Sequence, residues 1–513
     1  MNKKLLLSIL VVIAVAFALH ASIPGIPDTD AFYHIRHSWL YRAGGIFQSS
    51  FPWTQYSVIN QYSADIWYGF HILIIPFTFF SDLIKGMTTG GFAVNLAAVF
   101  LVFAALSRLK VKWPLFWTFL FWFASADVLF RLTMLRPHPL SMGLSLIIFA
   151  YLATPRTKYT LPIIFFSAAT ISWIHLSLSW LPILVGLAVA GVAILKKEIQ
   201  PIKNALLIIP GILLGWVLRP NFLGAAKIAY IQVVQLVVEK QFGAEFLRFG
   251  RELRPFVFEN FADQLVPISV LMTLGICLIF WKVFLKKIKT ATATWASLGL
   301  AVLFFTLAFT LARRANDIFI GFAAIFLGLL FTELFMEKRL FTAKWVMPVL
   351  TTTVAIILVA MPIKNIYRFG TYLQNVFDPQ RFSEASKWLI KNSQPGEIVF
   401  SPNWDRFGPL FFWNWQNYYI NGMDPIFEFA YDQSLYWKTH FLSVDQGAAI
   451  TCGMVRCRAG EAEDTHLVLK RDFKASYIIV EKTRSPRLYE YVAKTDGFKK
   501  VFETVSEGVF KIL

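Results

Sequence analysis

Ile66-Trp67-Tyr68-Gly69-Phe70-His71-Ile72-Leu73-Ile74-Ile75-Pro76-Phe77-Thr78-Phe79-Phe80 is the stretch on which the topology of this chain turns. It is apolar, and whether it crosses a membrane sets the side on which everything after it lies. Downstream, basic residues come in clusters: Arg108, Lys110 and Lys112; Arg156 and Lys158; Lys196, Lys197 and Lys203; Lys286, Lys287 and Lys289; Lys338, Arg339 and Lys344. All of them share one side with Lys3 and Lys4 only if residues 66–80 do not cross. Because cytoplasmic loops collect Lys and Arg, the stretch reads as an interfacial or re-entrant part of a long outer loop. Its Trp67, Tyr68, His71 and Pro76 suit headgroup level.

Outward from there the chain is almost all membrane. Apolar runs at 90–106, 114–130, 140–153, 161–174, 179–195, 205–218, 267–285, 292–311, 318–336 and 345–361 join the opening run 5–19. That makes about eleven spans of roughly bilayer length. The opening run also fits a secretory signal peptide, although the cleavage pattern around Leu19-His20-Ala21 is poor. Either reading places Asp28 and Asp30 outside. The net charge of +18 is of the sign that nucleic acid attracts, but the basic residues sit in clusters between apolar runs rather than in one aromatic-interleaved stripe. They read as topology signals, so the sequence excludes nucleic-acid binding.

The expected organisation is a transmembrane domain, 1–361, with outer loops at 21–89 and 220–264, followed by an extracytoplasmic α/β domain, 362–513. The expected location is the cytoplasmic (plasma) membrane, crossed many times, with the N-terminus inside and the C-terminal domain outside. The second outer loop holds a helical stretch, 225–238, then the charged run 245–255, which reads either as an amphipathic helix over a site or headgroups or as a solvated connection. In the C-terminal domain, helical patterns at 382–391 and 465–473 precede β-rich runs at 397–400 and 477–480, and the chain ends in a run at 509–513. Ser401-Pro402-Asn403-Trp404-Asp405-Arg406-Phe407-Gly408 follows the first β run, where open α/β sheets place ligands. Residues 417–427 form a turn-rich loop that either faces the membrane or is ordinary turn chemistry. Cys452 and Cys457 are close enough in sequence for a local disulfide or two free thiols, and Cys277 reads as packing.

Chemistry concentrates just outside the first span. Asp28-Thr29-Asp30 sets two carboxylates two residues apart, able to share a divalent cation or a proton. Arg136 with His138, Arg219, Arg313 and Arg314 lie at outer span ends, where a guanidinium either binds phosphate bidentately or snorkels to headgroups. The adjacent pair Arg313-Arg314 is expected to face the same cavity as Asp30. His34, His71, His138 and His175 lack close paired-ligand spacing, so each reads as a hydrogen-bonded interfacial histidine. No Walker loop, dinucleotide fingerprint or nucleophile elbow is evident, which points away from a nucleotide sugar.

In this order of parts, and in Asp30-Ala31-Phe32-Tyr33-His34-Ile35-Arg36, the chain resembles the GT-C superfamily of membrane glycosyltransferases. The run, an Asp followed by aromatics and an Arg six residues on, is similar to the first-loop motif of the oligosaccharyltransferase catalytic subunit. The resemblance makes Asp30 the catalytic or metal-binding Asp, helped by Asp28, with His34 and Arg36 in the same motif. Trp404-Asp405 and Gly408 partly match that subunit's Trp-Trp-Asp-Tyr-Gly acceptor motif, with Asn403 in place of the first Trp and Arg406-Phe407 before the Gly. It implies a polyprenyl-phosphate- or diphosphate-linked sugar donor, a protein, lipid or glycan acceptor, contact with membrane lipids, and Mg or Mn as the divalent cation if one is used. The chain departs from the pattern after Phe130, where Arg131-Leu132-Thr133-Met134-Leu135-Arg136-Pro137-His138 is basic where oligosaccharyltransferases are acidic. Metal-independent relatives, such as protein O-mannosyltransferases and lipid A aminoarabinose transferases, use the same scaffold. The competing functions are a lipid or glycan transporter and a structural assembly subunit.

Overall fold

The computed structural model describes residues 3–242, 250–336, 346–445, 448–458 and 460–513. Residues 245–249 of the charged run and the basic cluster Lys338, Arg339 and Lys344 lie outside them. The chain clusters into two compact units. One comprises Met1–Pro27, Thr88–Leu218 and Arg251–Val376; the other comprises Asp28–Met87, Arg219–Gly250 and Phe377–Leu513.

The first unit is a helical membrane body. Among the described residues of the chain, seven helices are long and apolar enough to cross a bilayer, and an eighth crossing arises if Pro114–Phe123 and Ala126–Leu132, bent by 98°, count as one. Shorter apolar helices follow the runs at Leu6–Ala21, His138–Leu152 and Thr160–Ile174. A lipid surround offers no hydrophobic drive for helices to associate, so packing must supply it. Gly211 and Gly215, four apart on one helix face, do this locally. A Cβ on Gly211 would lie 2.5 Å from the Phe165 carbonyl oxygen, and one on Gly215 would lie 2.0 Å from that of Ala169. The backbone of Ile208–Val217 therefore lies directly against Thr160–Ile174. Trp122, Phe149, Phe304, Phe322 and Phe326 fill the centre.

The second unit joins what the sequence separates. Its sheet runs β1 (Ile398–Phe400), β4 (Ala475–Glu481), β6 (Glu507–Ile512), β5 (Phe498–Glu503), with β1 and β4 parallel and the other pairs antiparallel. The short pair β2 (Ile450–Thr451) and β3 (Glu463–Asp464) stands apart from it. Helices Ser383–Asn392 and Thr465–Arg471 match the helical patterns read from the sequence. The first-loop segment is stitched onto this domain by backbone bonds: Gln55 N–H to Tyr419 O, Tyr56 N–H to Ile420 O and Tyr419 N–H to Trp53 O, at 2.8 to 2.9 Å. Cys452 and Cys457 are free thiols.

Residues 66–80 fold as two short pieces, Tyr68–Leu73 and a 3-10 turn Ile75–Phe79 with Pro76 in its first turn. Six and five residues are each far below a span. The helix Phe222–Glu239, which the sequence places in an outer loop, is long and apolar enough to cross. It nonetheless falls in the second unit, anchored where Asn221 Nδ2 donates to the Tyr62 and Ser63 carbonyls at 2.8 and 3.2 Å.

Candidate active site

Asp30 opens the helix Asp30–Gly44. In a first turn the unpaired N–H groups and the helix dipole favour negative charge, so the carboxylate form is the one this position stabilises. Asp28 is buried, and its carbonyl accepts from the Ala31 N–H. The helix is seated against Phe407–Trp413 so closely that a Cβ on Gly408 would fall 2.4 Å from the Thr29 carbonyl oxygen. Gly408 is therefore required by packing beside the acidic pair. Arg36 ties the same two helices: its Nε and Nη2 donate to the Phe412 carbonyl at 2.9 and 2.6 Å, and its guanidinium lies over the rings of Trp39 and Phe412.

Along the helix, Tyr33, His34, His37 and Tyr41 fall at helical spacing and are buried. They meet Asp65 and His71 from the following loop. His71 Nδ1 lies 2.6 Å from Asp65 Oδ2, His71 Nε2 lies 2.8 Å from His34 Nδ1, and His37 Nδ1 lies 3.0 Å from the Tyr33 hydroxyl. Tyr41 donates to Asp65 at 3.0 Å. Burial works against the Asp65 charge, but His71 and His37 outweigh it and hold the carboxyl well below its usual range. Burial pushes His37 down to about 3. Arg219, 4% exposed, donates from Nη1 to the Asp65 carbonyl at 2.9 Å, so it belongs to this cluster.

Trp404 and Asp405 line a cavity of about 300 Å³ in the same unit, with Asn421, Glu428, Thr439 and His440. Asp405 Oδ2 accepts from Arg484 at 3.0 Å, while its Oδ1 is buried without a hydrogen-bond partner. Burial pushes Glu428 up to about 8, even though Thr439 donates to it at 2.7 Å. The cavity wall thus presents a neutral carboxylic acid at neutral pH.

The first unit collects the remaining predicted residues. Arg131 Nε and His138 Nε2 both reach Asp317 Oδ2, at 3.0 and 2.9 Å. Arg136 and Arg314 share Glu252 Oε1, at 2.9 and 2.5 Å. Arg313 pairs with Asp127, lies 4.8 Å over the Phe256 ring, and shares Asp127 with the Tyr372 hydroxyl. Burial opposes the Glu252 charge, yet Arg136, Arg314 and Arg131 hold its carboxyl below the usual range. Among the described residues, the guanidiniums of Arg131, Arg136, Arg313 and Arg314 face the carboxylates of Asp127, Glu252 and Asp317. An apolar groove of about 270 Å³ lies between Phe116, Phe119, Phe123, Met361, Pro362 and Ile366, on Pro114–Phe123 and on Val346–Leu373, the helix that also carries Tyr372, the partner of Asp127.

Asp28, Asp30, His34, Arg36, Arg219, Trp404 and Asp405 thus share one unit, and Arg136, His138, Arg313 and Arg314 the other. Sequence reading missed His37, Asp65, Asp317, Glu252 and Glu428. Asp317 alone carried a signal, an acid three residues after an Arg pair at the head of an apolar run. The histidines read singly as satisfied come in groups: His34 and His71 with His37, and His138 with His175, whose ring centroids are 6.3 Å apart.

This arrangement is that of a GT-C-like fold in a multi-pass membrane protein. The oligosaccharyltransferase of Archaeoglobus fulgidus in its apo form superposes with TM-score 0.59 at 11% identity, over 95% of this chain and 71% of that one. The same enzyme tethered to an acceptor peptide gives 0.58 at 12%, over 98% and 74%, and it has also been crystallised in complex with Zn and sulfate. ArnT of Cupriavidus metallidurans bound to undecaprenyl phosphate gives 0.54 at 10%, over 100% and 98%. No family model matches the sequence, and no curated protein does.

Proposed function

We propose that this protein transfers a sugar or glycan from a polyprenyl-phosphate- or diphosphate-linked donor to an acceptor at the outer membrane surface. The observation that carries this reading is the gathering of Arg131, Arg136, Arg313 and Arg314 in one unit, together with an apolar groove on the helix that also carries Tyr372, the hydrogen-bond partner of Asp127. In the reaction the acceptor's heteroatom bonds to the anomeric carbon as the bond from that carbon to phosphate oxygen breaks. The phosphate leaves with the electron pair, and the acceptor's proton passes to Asp30. Arg136, Arg313 and Arg314, with His138, stabilise the charge that develops on the phosphate, while Arg219, expected with them from the sequence, belongs to the Asp65 cluster. Asp28 supports Asp30 at the helix terminus, and Trp404 with Asp405 contacts the acceptor.

Complexes of the fold neighbours with undecaprenyl phosphate and with an acceptor peptide support both halves of the reading. The neighbour's complex with Zn and sulfate makes a divalent cation compatible with the scaffold. Asp28 and Asp30 are not within a group of three or more His, Cys, Asp or Glu ligands among the described residues. An Mg or Mn ion there needs ligands from substrate, backbone or water, and the chemistry above uses none. The proposed orientation keeps the N-terminus inside and residues 362–513 outside.

Asp30→Asn keeps size and polarity, so it is expected to insert normally and to lose roughly 10²- to 10⁴-fold in transfer, the usual worth of a positioned general base. The measurement is transfer from a lipid-linked sugar in proteoliposomes. Wild-type rates in the variant overturn the role of Asp30. Movement of the labelled lipid across the bilayer without transfer indicates a transporter instead.

A further inference from the structure

We propose that His37, Asp65 and His71 bind a divalent transition-metal ion of the zinc class, at a site separate from Asp30. One ligand atom from each of the three lies within 4.8 Å of those of the other two, and this is the one such group among the described residues. Their side chains converge from two pieces of chain, the helix Asp30–Gly44 and the loop that follows it, with the rings of His37 and His71 4.4 Å apart.

The orientation of both rings supports coordination. A metal-bound histidine usually donates its other ring N–H to a fixed partner, which sets the tautomer and aims the free lone pair. His37 Nδ1 lies against the Tyr33 hydroxyl at 3.0 Å, which leaves its Nε2 for the ion. His71 Nε2 lies against His34 Nδ1 at 2.8 Å, which leaves its Nδ1, the nitrogen beside Asp65 Oδ2. Asp65 is held in turn: Oδ1 accepts from the Trp67 N–H at 2.8 Å and Oδ2 from the Tyr41 hydroxyl at 3.0 Å. Ligand atoms around a tetrahedral zinc, bonded at about 2.0 to 2.2 Å, lie roughly 3.3 to 3.5 Å apart. His71 Nδ1 and Asp65 Oδ2, 2.6 Å apart, are closer than that, so binding the ion requires the two to part by somewhat under 1 Å, roughly the difference from tetrahedral spacing.

Two imidazoles and one carboxylate select zinc and its neighbours over magnesium, which prefers oxygen and keeps its water. His71 is fully buried and the Asp65 side chain is 6% exposed, so an ion here compensates a carboxylate that water does not reach. The ion would fasten residues 65–71 to the helix that begins with Asp30, and its fourth position would be open to water or another oxygen ligand.

The test uses the full chain in detergent or nanodiscs, stripped with a chelator, dialysed against Zn²⁺ and analysed by elemental mass spectrometry, with Co²⁺ as an optical probe. One equivalent of Zn²⁺ is expected, with the visible bands of four- or five-coordinate Co²⁺. Asp65→Asn and His37→Gln should each weaken Zn²⁺ at least about tenfold, and His34→Gln, which only orients His71, by roughly 10- to 100-fold. Asp30→Asn should bind as the wild type does, which separates this site from the proposed catalytic residue. Should His37→Gln fail to fold, the near-isosteric Asp65→Asn decides. Wild-type zinc content no higher than that of Asp65→Asn, or loss of the ion in Asp30→Asn, overturns the assignment.

Discussion

The two charged clusters differ in the kind of cation they gather. In the first unit Arg131, Arg136, Arg313 and Arg314 bring four guanidiniums together around Asp127, Glu252 and Asp317, groups of the sign that pairs with a phosphate. In the second, Asp65 sits among His34, His37 and His71, groups that are neutral or cationic according to protons and metal. Guanidiniums keep their charge at any physiological pH, so the charge of the first cluster is permanent. Imidazoles do not, so the second is set by what it binds. On the proposed reading the first set holds a leaving group and the second organises the loop around Asp30.

If the first cluster is a phosphate site, its arginines act in the transition state. Arg314→Ala is expected to lower transfer by about 10²- to 10³-fold, the usual loss when one preorganised donor to a developing oxyanion is removed. Arg314→Lys should recover only part of it, because an ammonium cannot pair bidentately. Unchanged kinetics in Arg314→Ala, measured with a lipid-linked donor, would make the cluster structural and erase the contrast.

The second unit should respond first in stability. Gly408→Ala forces a Cβ to within 2.4 Å of the Thr29 carbonyl, a backbone atom with no rotamer to yield. A cost of about 3 kcal/mol is expected from such overpacking, seen as a lower melting temperature and earlier proteolysis of the second unit. An unshifted melting curve would show that the contact between Phe407–Trp413 and the Asp30 helix can slide.

Glu428 gives the second unit a pH signature. Its carboxyl is held to about 8 by burial, against an ordinary 4.5. The unfolded chain therefore releases the proton near 4.5 and the folded chain near 8, so the folded state binds more protons between those values and stability falls as pH rises through that window. Glu428→Gln removes the titration, flattens the slope, and gains on the wild type by at least about 1.4 kcal/mol, one unit's worth, between pH 5 and pH 8. Parallel pH profiles of melting temperature for the two proteins would contradict the buried neutral acid.

Much of the fold was legible because hydropathy and charge act locally. The apolar runs, the non-crossing of residues 66–80 and the strands at 398–400 and 475–481 follow from short-range pattern. The helical stretch at 225–238 was legible too, but its anchoring was not, since Asn221 meets Tyr62 and Ser63 only through space. The same holds for the site. Asp30 and the Arg pair stood out as charges beside apolar runs, whereas His37 and Asp65 meet only after 27 intervening residues have folded, and no spacing rule announces them. Glu252 was read as one charge in a run and sits instead between two predicted arginines.

Glu252 offers the finest test of the contrast. Its Oε1 occupies the guanidiniums of Arg136 and Arg314 at 2.9 and 2.5 Å, where a phosphate oxygen would compete. At 29% side-chain exposure the ion pairs are partly screened and together hold the carboxylate by about 1 kcal/mol or less. The Glu252 carbonyl separately accepts from the Arg314 N–H at 2.9 Å, so the backbone stays in register when the charge is removed. Glu252→Gln should therefore lower KM for a lipid-phosphate donor by about threefold while leaving kcat alone, since it removes a ground-state competitor and no transition-state contact. A raised KM would mean instead that Glu252 orients the arginines, and Glu252 would then be a fixed part of the site rather than a competitor in it.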